Sequence, residues 1–450
     1  MKEVDLIVIG SGQGGVPLAV DQAEKGRRVV VFEKESWGGS CINYGCTPSK
    51  SFLASAHAAQ QASSAERLGV KASPEVDFPE IMARVRGIIE NWSAGVKDQL
   101  EHDNLTRVEA PAAFQDPRVV SGGGETYQAE QVVINTGKSP FVPPVEGLED
   151  VPYLTYESFW DLEEQPEKLL ILGGGYTGVE IGQGMARLGT EVQIFERNSR
   201  LVHREEEEVS RVLAEVLRED GVKLHFHTTA SRVEEQGGSI RLETEGGEIF
   251  RGDAFLVSTG RKPNTRELNA EAGGVKLDDR GHIEVDGHFQ TSSEGVYAIG
   301  DVTGQPAFTH VSWEDYRRLS GIFAGENRTQ GDRVLAYAFF TDPQVGRVGL
   351  TAAEADQAGL NPRAETLPLD QVARALEVGK SRGFYRMVVD QETDRILGAT
   401  LIGPQAAELV HILIAHINHD ATWQDLDQSM HIHPAYAEAL PTLARKFNSS

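Results

Sequence analysis

The sequence contains 450 residues, of which 40% are hydrophobic and 25% are charged, and its formal net charge is -25. These proportions are typical of a soluble globular protein, and the length predicts about three domains. So large an excess of acidic residues excludes the basic face that nucleic-acid binding requires, and an anionic membrane surface would repel it. Because no apolar run approaches the ~20 residues that span a bilayer and no charged-then-apolar leader opens the chain, we expect a cytoplasmic protein without a membrane partner.

The first segment of the chain predicts a dinucleotide site. A β-like run over residues 4–9 leads directly into Gly10-x-Gly12-x-x-Gly15, and a helix is predicted to follow. Glycines in this position let backbone amides approach a pyrophosphate at the helix N-terminus. The next predicted strand ends at Glu33, where a carboxylate can bind the ribose hydroxyls.

Both cysteines of the chain, Cys41 and Cys46, lie in GGSCINYGCTPSK, residues 38–50. Two cysteines in one short segment of so long a chain do not form a structural framework. Pro48 should interrupt the hydrogen-bond ladder of a helix here, and Lys50 adds a positive charge that favours a thiolate. A redox pair that opens easily would suit catalysis, although two inert, buried cysteines could show the same spacing.

The chain then passes to a second domain. Helices are predicted over residues 51–68 and 78–102, where they would cover the first sheet. A buried strand ends at Gly137, and the proline-rich residues 140–144 indicate a crossover between domains.

A second dinucleotide signature follows the crossover. It has the same strand, glycine and helix order, with glycines at Gly173, Gly175 and Gly178. Two such folds imply two dinucleotides, and hydride exchange between them is the simplest interpretation. The next strand ends at Glu196, which favours NADH because a carboxylate repels a 2′-phosphate. Arg197 and Arg200 follow closely and leave NADPH open.

Several charged residues have ordinary interpretations. The glutamates of residues 205–208 open an amphipathic helix, and we expect a solvated helix start because acidic residues suit the first turn. His225 and His227 alternate on a strand, but no cysteine or acid stands at ligand spacing, so we predict ordinary strand histidines. Three histidines of a mostly apolar helix are assigned to packing or an interface: His411, His416 and His419.

The C-terminal part contains two further candidates. Asp301 follows a strand, where an acid either binds a polyol or caps the next helix. From about residue 335, alternating β runs with two helices predict an α+β domain. Near its end, His433 precedes Glu438 by five residues, which makes it a general-base candidate, although the pattern alone favours a surface histidine.

The segment GGSCINYGCTPSK resembles the redox signature of the class I pyridine nucleotide-disulfide oxidoreductases, the family of dihydrolipoamide dehydrogenase, glutathione reductase and mercuric reductase. The similarity continues through GSGQGG, TGKSP, GGGYTGVE, STGRKPN, YAIGDV, FTDPQVGRVGLT and HIHPAYAE. It implies an α/β fold with two Rossmann-like domains. The FAD-binding domain would be split between residues 1–142 and 264–330, the NAD(P)H-binding domain would span 143–263, and an α+β dimerisation domain would span 331–450.

The resemblance also implies roles for individual residues. FAD would be bound by Gly10, Gly12, Gly15, Glu33, Gly137 and Asp301. NAD(P)H would be bound by Gly173, Gly175, Gly178, Glu196 and Tyr176, with the tyrosine covering the nicotinamide pocket. Cys41 would attack substrate and Cys46 would face the flavin, as the two halves of a redox disulfide. Lys50 would pair with Glu180 near the flavin. His433 and Glu438 would be an acid–base pair given to the other subunit, which makes the protein a homodimer with shared active sites.

The substrate is less clear from the sequence. YGCTPSK and PLDQVARALEVGKSRGF are similar to mercuric-reductase-like proteins, yet the sequence has no C-terminal cysteine pair to deliver mercuric ion. The His433–Glu438 pair favours a small disulfide. The alternatives are a metal-ion or quinone reductase and a dihydrolipoamide dehydrogenase subunit of a multienzyme complex. Arg374 is expected to line the pocket, whereas Asn135 and Thr177 replace the family's alanine and isoleucine types with no consequence that the pattern reveals.

Overall fold

A computed structural model of the protein describes residues 1–449. The first part of the chain forms most of a seven-stranded sheet and four helices. Its strands are β1 (Lys2–Ile9), β2 (Val29–Glu33), β3 (Leu105–Glu109), β4 (Ala113–Asp116), β5 (Val119–Gly122) and β6 (Glu125–Ile134), followed by the short β7 (Lys138–Pro140). Its helices are α1 (Gly15–Glu24), α2 (Gly39–Asn43), α3 (Cys46–Ser63) and α4 (Phe78–Gln99). Strands β3, β2, β1 and β6 are parallel neighbours, and the apolar runs of β1, β2 and β6 are buried on both faces, as is typical of parallel sheets.

The middle of the chain builds a second parallel sheet. This part of the chain contains β8 (Lys168–Leu172), α5 (Tyr176–Arg187), β9 (Glu191–Glu196), α6 (Glu207–Glu219), β10 (Lys223–Phe226), β11 (Ala230–Gln236), β12 (Ser239–Thr244), β13 (Ile249–Gly252), β14 (Ala254–Val257) and β15 (Arg261–Pro263). Strands β11, β12 and β13 form a separate three-stranded sheet. The parallel sheet has the order β10-β9-β8-β14, which repeats the order β3-β2-β1-β6. Each glycine motif therefore occupies the same place, between the first strand of its sheet and the helix after it.

The chain then returns to the first sheet. Strand β15 pairs antiparallel with β7, and β16 (Val296–Ala298) adds to β6 in parallel, with Val296 beside Val132. Helix α7 (Thr309–Phe323) packs against α1. The first sheet is thus built from strands that come before the second sheet in the sequence and from one strand that comes after it.

The C-terminal part is an antiparallel sheet with the order β17-β18-β21-β20-β19. Its strands are β17 (Ala336–Phe339), β18 (Gln344–Gly349), β19 (Pro362–Pro368), β20 (Phe384–Asp390) and β21 (Ile396–Gly403). Its helices are α8 (Ala352–Gln357), α9 (Ala373–Glu377), α10 (Ala406–Asn418), α11 (Trp423–Gln428) and α12 (Ala439–Arg445). This is the α+β arrangement expected from the sequence. Within residues 1–449, no helix has the length and apolar character needed to cross a membrane.

The glutamate run of residues 205–208 differs from its expectation. Glu205 is only 2% exposed, and Glu206 and Glu208 both accept hydrogen bonds from Arg386 of β20. Glu206 also accepts a hydrogen bond from Thr400 of β21. The expected solvated helix start is therefore wrong for Glu205 and Glu206, because the C-terminal sheet packs against them, whereas Glu208 stays half exposed in the first turn of α6.

Candidate active site

The two cysteines lie on consecutive helices separated by a tight turn. Cys41 belongs to α2, Cys46 begins α3, and the amides of Tyr44 and Gly45 both donate to the Ser40 carbonyl, at 2.9 and 2.6 Å. A Cβ atom on Gly45 would stand 3.1 Å from that carbonyl oxygen, so a larger residue would crowd the turn. Both cysteines are free thiols, and the turn places them close enough for each to perturb the pKa of the other.

The redox helix α3 starts earlier than the sequence indicated. Pro48 was expected to interrupt a helix here, but it is the third residue of α3, where a backbone N–H has no intrahelical acceptor to lose. The Ser49 amide already donates to the Gly45 carbonyl at 3.1 Å. As a result Cys46 occupies the positive end of an 18-residue helix.

The surroundings of the two thiols shift their pKa values in opposite directions. The hydrogen bond from Cys41, helped by Thr309 and by the Lys50 charge, lowers the pKa of Cys46 to about 6 against the effect of burial. The same bond to Cys46, together with burial, raises the pKa of Cys41 above its ordinary value. At neutral pH Cys46 is therefore a thiolate and Cys41 is a thiol that needs a base before it can attack a disulfide.

Lys50 and Glu180 form an ion pair at a junction of three parts of the fold. Lys50 Nζ on α3 lies 2.7 Å from Glu180 Oε2 on α5, and Glu180 is 5% exposed. The Phe340 amide, just after β17, donates to Glu180 Oε1 at 2.6 Å. The Phe340 ring also lies under the ammonium group, 4.8 Å from Lys50 Nζ to the ring centroid. The pair predicted from the resemblance is thus in contact, and it holds a positive charge near Cys46.

The first glycine motif has no room for a side chain at Gly10, Gly12 or Gly15. Gly10 has a φ of 102°, and a Cβ there would lie 2.4 Å from the Asn135 carbonyl oxygen. A Cβ on Gly15 would lie 2.2 Å from the Gly10 carbonyl oxygen, and one on Gly12 would lie 3.0 Å from Asn135 Oδ1. The motif therefore packs β1, α1 and the end of β6 more closely than any side chain allows.

Glu33 lies at the end of β2 beside this motif. Ser11 donates to Glu33 Oε2 from its amide at 3.1 Å and from its hydroxyl at 2.6 Å. The Glu35 amide donates to Glu33 Oε1 at 2.8 Å. The carboxylate is only partly buried, so it is fixed in direction while still open to a ligand hydroxyl.

Asn135 is a site residue whose role the sequence did not reveal. Its Oδ1 accepts the Gly15 amide at 2.9 Å, at the N-terminus of α1. Its Nδ2 donates to the Ile299 carbonyl at 2.9 Å and to Ser312 Oγ of α7 at 3.2 Å. An alanine could make none of these bonds. The departure from the family pattern was the only signal, and it did not indicate the partners.

Gly137 and Asp301 lie further along the same site. Gly137 has a φ of 66° and open space beside it. Asp301 belongs to a one-turn helix (Gly300–Thr303) and pairs with Arg261, with 2.8 Å between Nη2 and Oδ2. Because α7 begins at Thr309 with Phe308 as its N-cap, the alternative that Asp301 caps that helix is wrong.

Two buried polar atoms near this site have no hydrogen-bond partner within residues 1–449. They are Thr136 Oγ1, next to Gly137, and Arg261 Nε, beside Asp301. Unpaired buried polar groups are rare and point to a bound polar molecule. Together with the glycine motif and Glu33, they fit the FAD that the resemblance implies.

The second glycine motif repeats the geometry of the first. Gly173 has a φ of 109°, and a Cβ there would lie 2.6 Å from the Ser258 carbonyl oxygen. A Cβ on Gly178 would lie 2.1 Å from the Gly173 carbonyl oxygen. Gly175 is the N-cap of α5 and has open space beside it, so the end of the helix is accessible to a phosphate.

Glu196 ends β9 as Glu33 ends β2. Its Oε2 accepts the Gly174 amide at 2.8 Å, and its Oε1 accepts the Asn198 amide at 2.8 Å and Asn198 Nδ2 at 2.6 Å. It is more deeply buried than Glu33. The Arg200 guanidinium donates hydrogen bonds to the backbone carbonyls of His203 and Glu205. The Arg197 side chain is exposed.

His433 and Glu438 are in contact with each other but not with the thiols. His433 Nδ1 lies 2.7 Å from Glu438 Oε2, and the His433 side chain is 72% exposed. An ionised carboxylate only accepts hydrogen bonds, so Nδ1 donates and Nε2 is left to exchange a proton. Among residues 1–449, His433 has no hydrogen bond to Cys41 or Cys46. The adjacent Met430 and Ile432 are strongly exposed apolar residues, which is typical of an interface.

Two further residues discussed from the sequence, Arg374 and His225, do not contact the thiols of their own chain within residues 1–449. Arg374 stands on α9 and pairs with Glu377 at 3.1 Å, and it has no contact with the thiols within the described chain. His225 stacks on Phe195 and packs against Phe250, with 4.8 and 4.6 Å between the ring centroids. The structure thus uses His225 for packing.

Comparison with known proteins identifies the family. Residues 4–315 match the model of the pyridine nucleotide-disulphide oxidoreductase family, and residues 335–444 match the dimerisation domain of that family. Dihydrolipoyl dehydrogenase of Haloferax volcanii is 35% identical over 97% of this chain and 94% of its own length. Mercuric reductase of Staphylococcus aureus is 32% identical over 99% of this chain and 83% of its own length.

A solved structure gives the same result. The Cu(II) complex of the HOCl-induced flavoprotein disulfide reductase RclA from Escherichia coli superposes with a TM-score of 0.90 at 29% identity, over 99% of this chain and 100% of that chain. These matches confirm the predicted family and fold class, and the dimerisation domain supports a homodimer. The chain belongs to the pyridine nucleotide-disulphide oxidoreductase family, whose members are FAD-dependent enzymes that use NAD(P).

Proposed function

We propose that the protein is an NADH-dependent reductase of a small disulfide, with Cys41 and Cys46 as its redox pair. The observation that carries this proposal is the pair of free thiols on either side of one tight turn, where the pKa of Cys46 is lowered to about 6 and the pKa of Cys41 is raised. Such a pair separates the two tasks of thiol–disulfide exchange, because one sulfur attacks substrate and the other is held ready to resolve the product.

The chain's own residues can carry out the exchange. A base takes the Cys41 proton, and the Cys41 sulfur attacks one substrate sulfur, forming a mixed disulfide and releasing the other sulfur as a thiolate. That thiolate receives the proton back from the same base. The Cys46 thiolate then attacks the Cys41 sulfur, which releases the second substrate sulfur as a thiolate and leaves a Cys41–Cys46 disulfide.

The cofactor supplies the reducing electrons. FAD bound beside the thiols would supply the two-electron redox chemistry that links a reduced nicotinamide to the Cys41–Cys46 disulfide. Gly10, Gly12, Gly15, Glu33 and Asp301 would hold it. The nicotinamide dinucleotide would be held at Gly173, Gly175, Gly178 and Glu196. We favour NADH over NADPH because the buried Glu196 carboxylate would repel a 2′-phosphate.

The base is His433 of the partner subunit in this proposal. Cys41 needs a base, no histidine hydrogen-bonds to it within residues 1–449, and the oriented His433–Glu438 pair is exposed beside apolar residues. Glu438 would orient the imidazole and stabilise its charged form, as the third member of a catalytic triad does. The active site would then be shared between two subunits.

A mixed dimer tests this arrangement directly. Cys41→Ser and His433→Ala subunits, coexpressed with different tags and purified as heterodimers, contain one doubly defective site and one intact site if sites are shared. We expect both homodimers to be inactive and the heterodimer to regain about half of the wild-type activity per dimer. An inactive heterodimer, with normal FAD content, would show that each site is built within one subunit.

Metal-ion reduction by the same thiols is the second candidate function. It is favoured by the similarity to a mercuric reductase and to a protein solved as its Cu(II) complex, since soft metal ions bind thiolates. Rates with lipoamide, glutathione disulfide, mercuric ion and quinones rank the candidates. A disulfide reductase loses its disulfide activity in Cys41→Ser, whereas a quinone reductase that bypasses the thiols keeps its rate.

A further inference from the structure

The buried carboxylate of Glu205 joins the second glycine motif to the C-terminal sheet. Tyr176 Oη donates to Glu205 Oε1 at 2.5 Å, and Tyr337 Oη of β17 donates to the same oxygen at 2.8 Å. Arg347 Nη1 of β18 lies 3.8 Å from Glu205 Oε2. The carboxylate thus has two phenol donors and one cationic neighbour, and it is shielded from water.

Tyr176 stands between the nucleotide motif and the redox helix. It is the first residue of α5, directly after the open N-cap Gly175. One turn later on the same helix, Glu180 contacts Lys50. The Tyr176 ring packs on Phe339 with 4.9 Å between the centroids. A dinucleotide that binds at Gly175 and extends toward the thiols must therefore pass this ring.

The bond between Tyr176 and Glu205 is costly to break. Burial and the neighbouring Glu205 charge raise the pKa of Tyr176, so the phenol keeps its proton and donates it. A hydrogen bond to an ionised, buried acceptor is stronger than one between neutral groups. If Tyr176 moves away, Glu205 loses one of its two donors while it remains out of reach of water.

We propose that Glu205 is a positioning residue that holds Tyr176 over the nicotinamide end of the NAD(P)H site, so that binding of the nicotinamide must break the Tyr176–Glu205 hydrogen bond. This inference rests on the proposed use of a nicotinamide dinucleotide. It adds that the C-terminal sheet, through Tyr337 and Arg347, sets how firmly that site is covered.

Binding to the oxidised holoenzyme separates this role from a purely structural one. The probes are NAD+, which carries the nicotinamide, and ADP-ribose, which lacks it, both measured by calorimetry. In Tyr176→Phe and in Glu205→Gln we expect the Kd of NAD+ to fall about three- to tenfold, because the bond no longer opposes displacement of the ring. The Kd of ADP-ribose should not change. The double variant should gain no more than the larger single effect, because both substitutions remove one interaction.

Glu206→Gln is the matched control. Glu206 is the next residue of the same glutamate run and also contacts the C-terminal sheet, through Arg386 and Thr400, but it does not touch Tyr176. Its Kd values for both probes should equal those of the wild type. An unchanged or weaker NAD+ affinity in Tyr176→Phe would overturn the inference, and so would an equal shift for ADP-ribose. If the wild type binds neither probe, the proposed nucleotide site itself is wrong, and the inference fails with it. Tyr176→Phe removes one hydroxyl only, so it decides the question if Glu205→Gln does not fold.

Discussion

The Cys46 sulfur lies 3.1 Å from the hydroxyl oxygen of Thr309. Cys46 begins α3 and Thr309 begins α7, so the sulfur is placed where two helix N-termini meet. Since Cys46 is a thiolate at neutral pH, the Thr309 hydroxyl donates this bond. The low pKa of Cys46 therefore depends on a helix from a distant part of the sequence as well as on its own.

Removing the Thr309 hydroxyl should raise the pKa of Cys46, so that its sulfur becomes protonated at a higher pH than in the wild type. In Thr309→Val we expect the pKa of Cys46 to rise by about one unit, because a hydrogen bond to a charged acceptor is lost. A pH titration of thiolate absorbance in the reduced protein measures it. Below the folded pKa the sulfur is a thiol, so the variant should lose activity first on the acidic side of the profile. Thr309→Ser keeps the hydroxyl and should titrate as the wild type does; a shift as large as that of the valine variant would contradict the assignment.

The Lys50–Glu180 pair should show strong coupling in a double-mutant cycle. Lys50→Met leaves the Glu180 carboxylate buried without its cation, and we expect the free energy of unfolding to fall by roughly 1–3 kcal/mol. Replacing both residues, as Lys50→Met with Glu180→Leu, removes the unpaired charge and should recover part of that loss. Denaturant unfolding of the four proteins measures the coupling. Additive effects of the two substitutions would show that the ion pair has no energetic role.

Asn135 should be needed for stability at the first dinucleotide site. Asn135→Ala leaves the Gly15 amide and the Ile299 carbonyl without their partners, and we expect a loss of roughly 1–3 kcal/mol in unfolding free energy. Thermal unfolding and the FAD-to-protein absorbance ratio are the measurements. Thr177→Ile is the control, since it also restores the family's residue type but breaks no described hydrogen bond. A stable, fully FAD-loaded Asn135→Ala protein would be evidence against the role.

Glu196 should govern the choice of nicotinamide. We expect kcat/KM to be at least about tenfold higher with NADH than with NADPH, because the 2′-phosphate meets the carboxylate. Glu196→Gln removes the charge and can still accept a hydrogen bond from Gly174 or from Asn198, although not from both, so the preference should shrink, mainly through the KM for NADPH. Arg197→Ala provides the comparison. If it, and not Glu196→Gln, changes the ratio, then the exposed arginine sets the preference.

The sequence predicted best where a function depends on a short local pattern. The glycines of both motifs and the acids Glu33 and Glu196 stand at fixed positions in a strand, turn and helix, and the structure repeats the same local geometry around both sets. Such contacts form between neighbours in the sequence or between adjacent strands, so spacing alone indicates them.

Residues whose partners lie far away in the sequence were predicted poorly. The glutamates of residues 205–208 are typical of a solvated helix start, and only the later Arg347 and Arg386 explain why three of them are buried or paired. Asn135 contacts Ser312, and Cys46 contacts Thr309. Each of these contacts joins segments that are far apart in the sequence, and no local pattern encodes how such segments pack together.

Glu180 receives Lys50 from one part of the chain and the Phe340 amide from another. A nascent chain that ends before residue 340 lacks the Phe340 amide that donates to Glu180, even if its first two sheets have formed. A truncated translation product would therefore carry both cysteines, Lys50 and Thr309, but its Glu180 carboxylate would lack the Phe340 amide, so the ion pair beside the thiols is completed only when the C-terminal sheet folds.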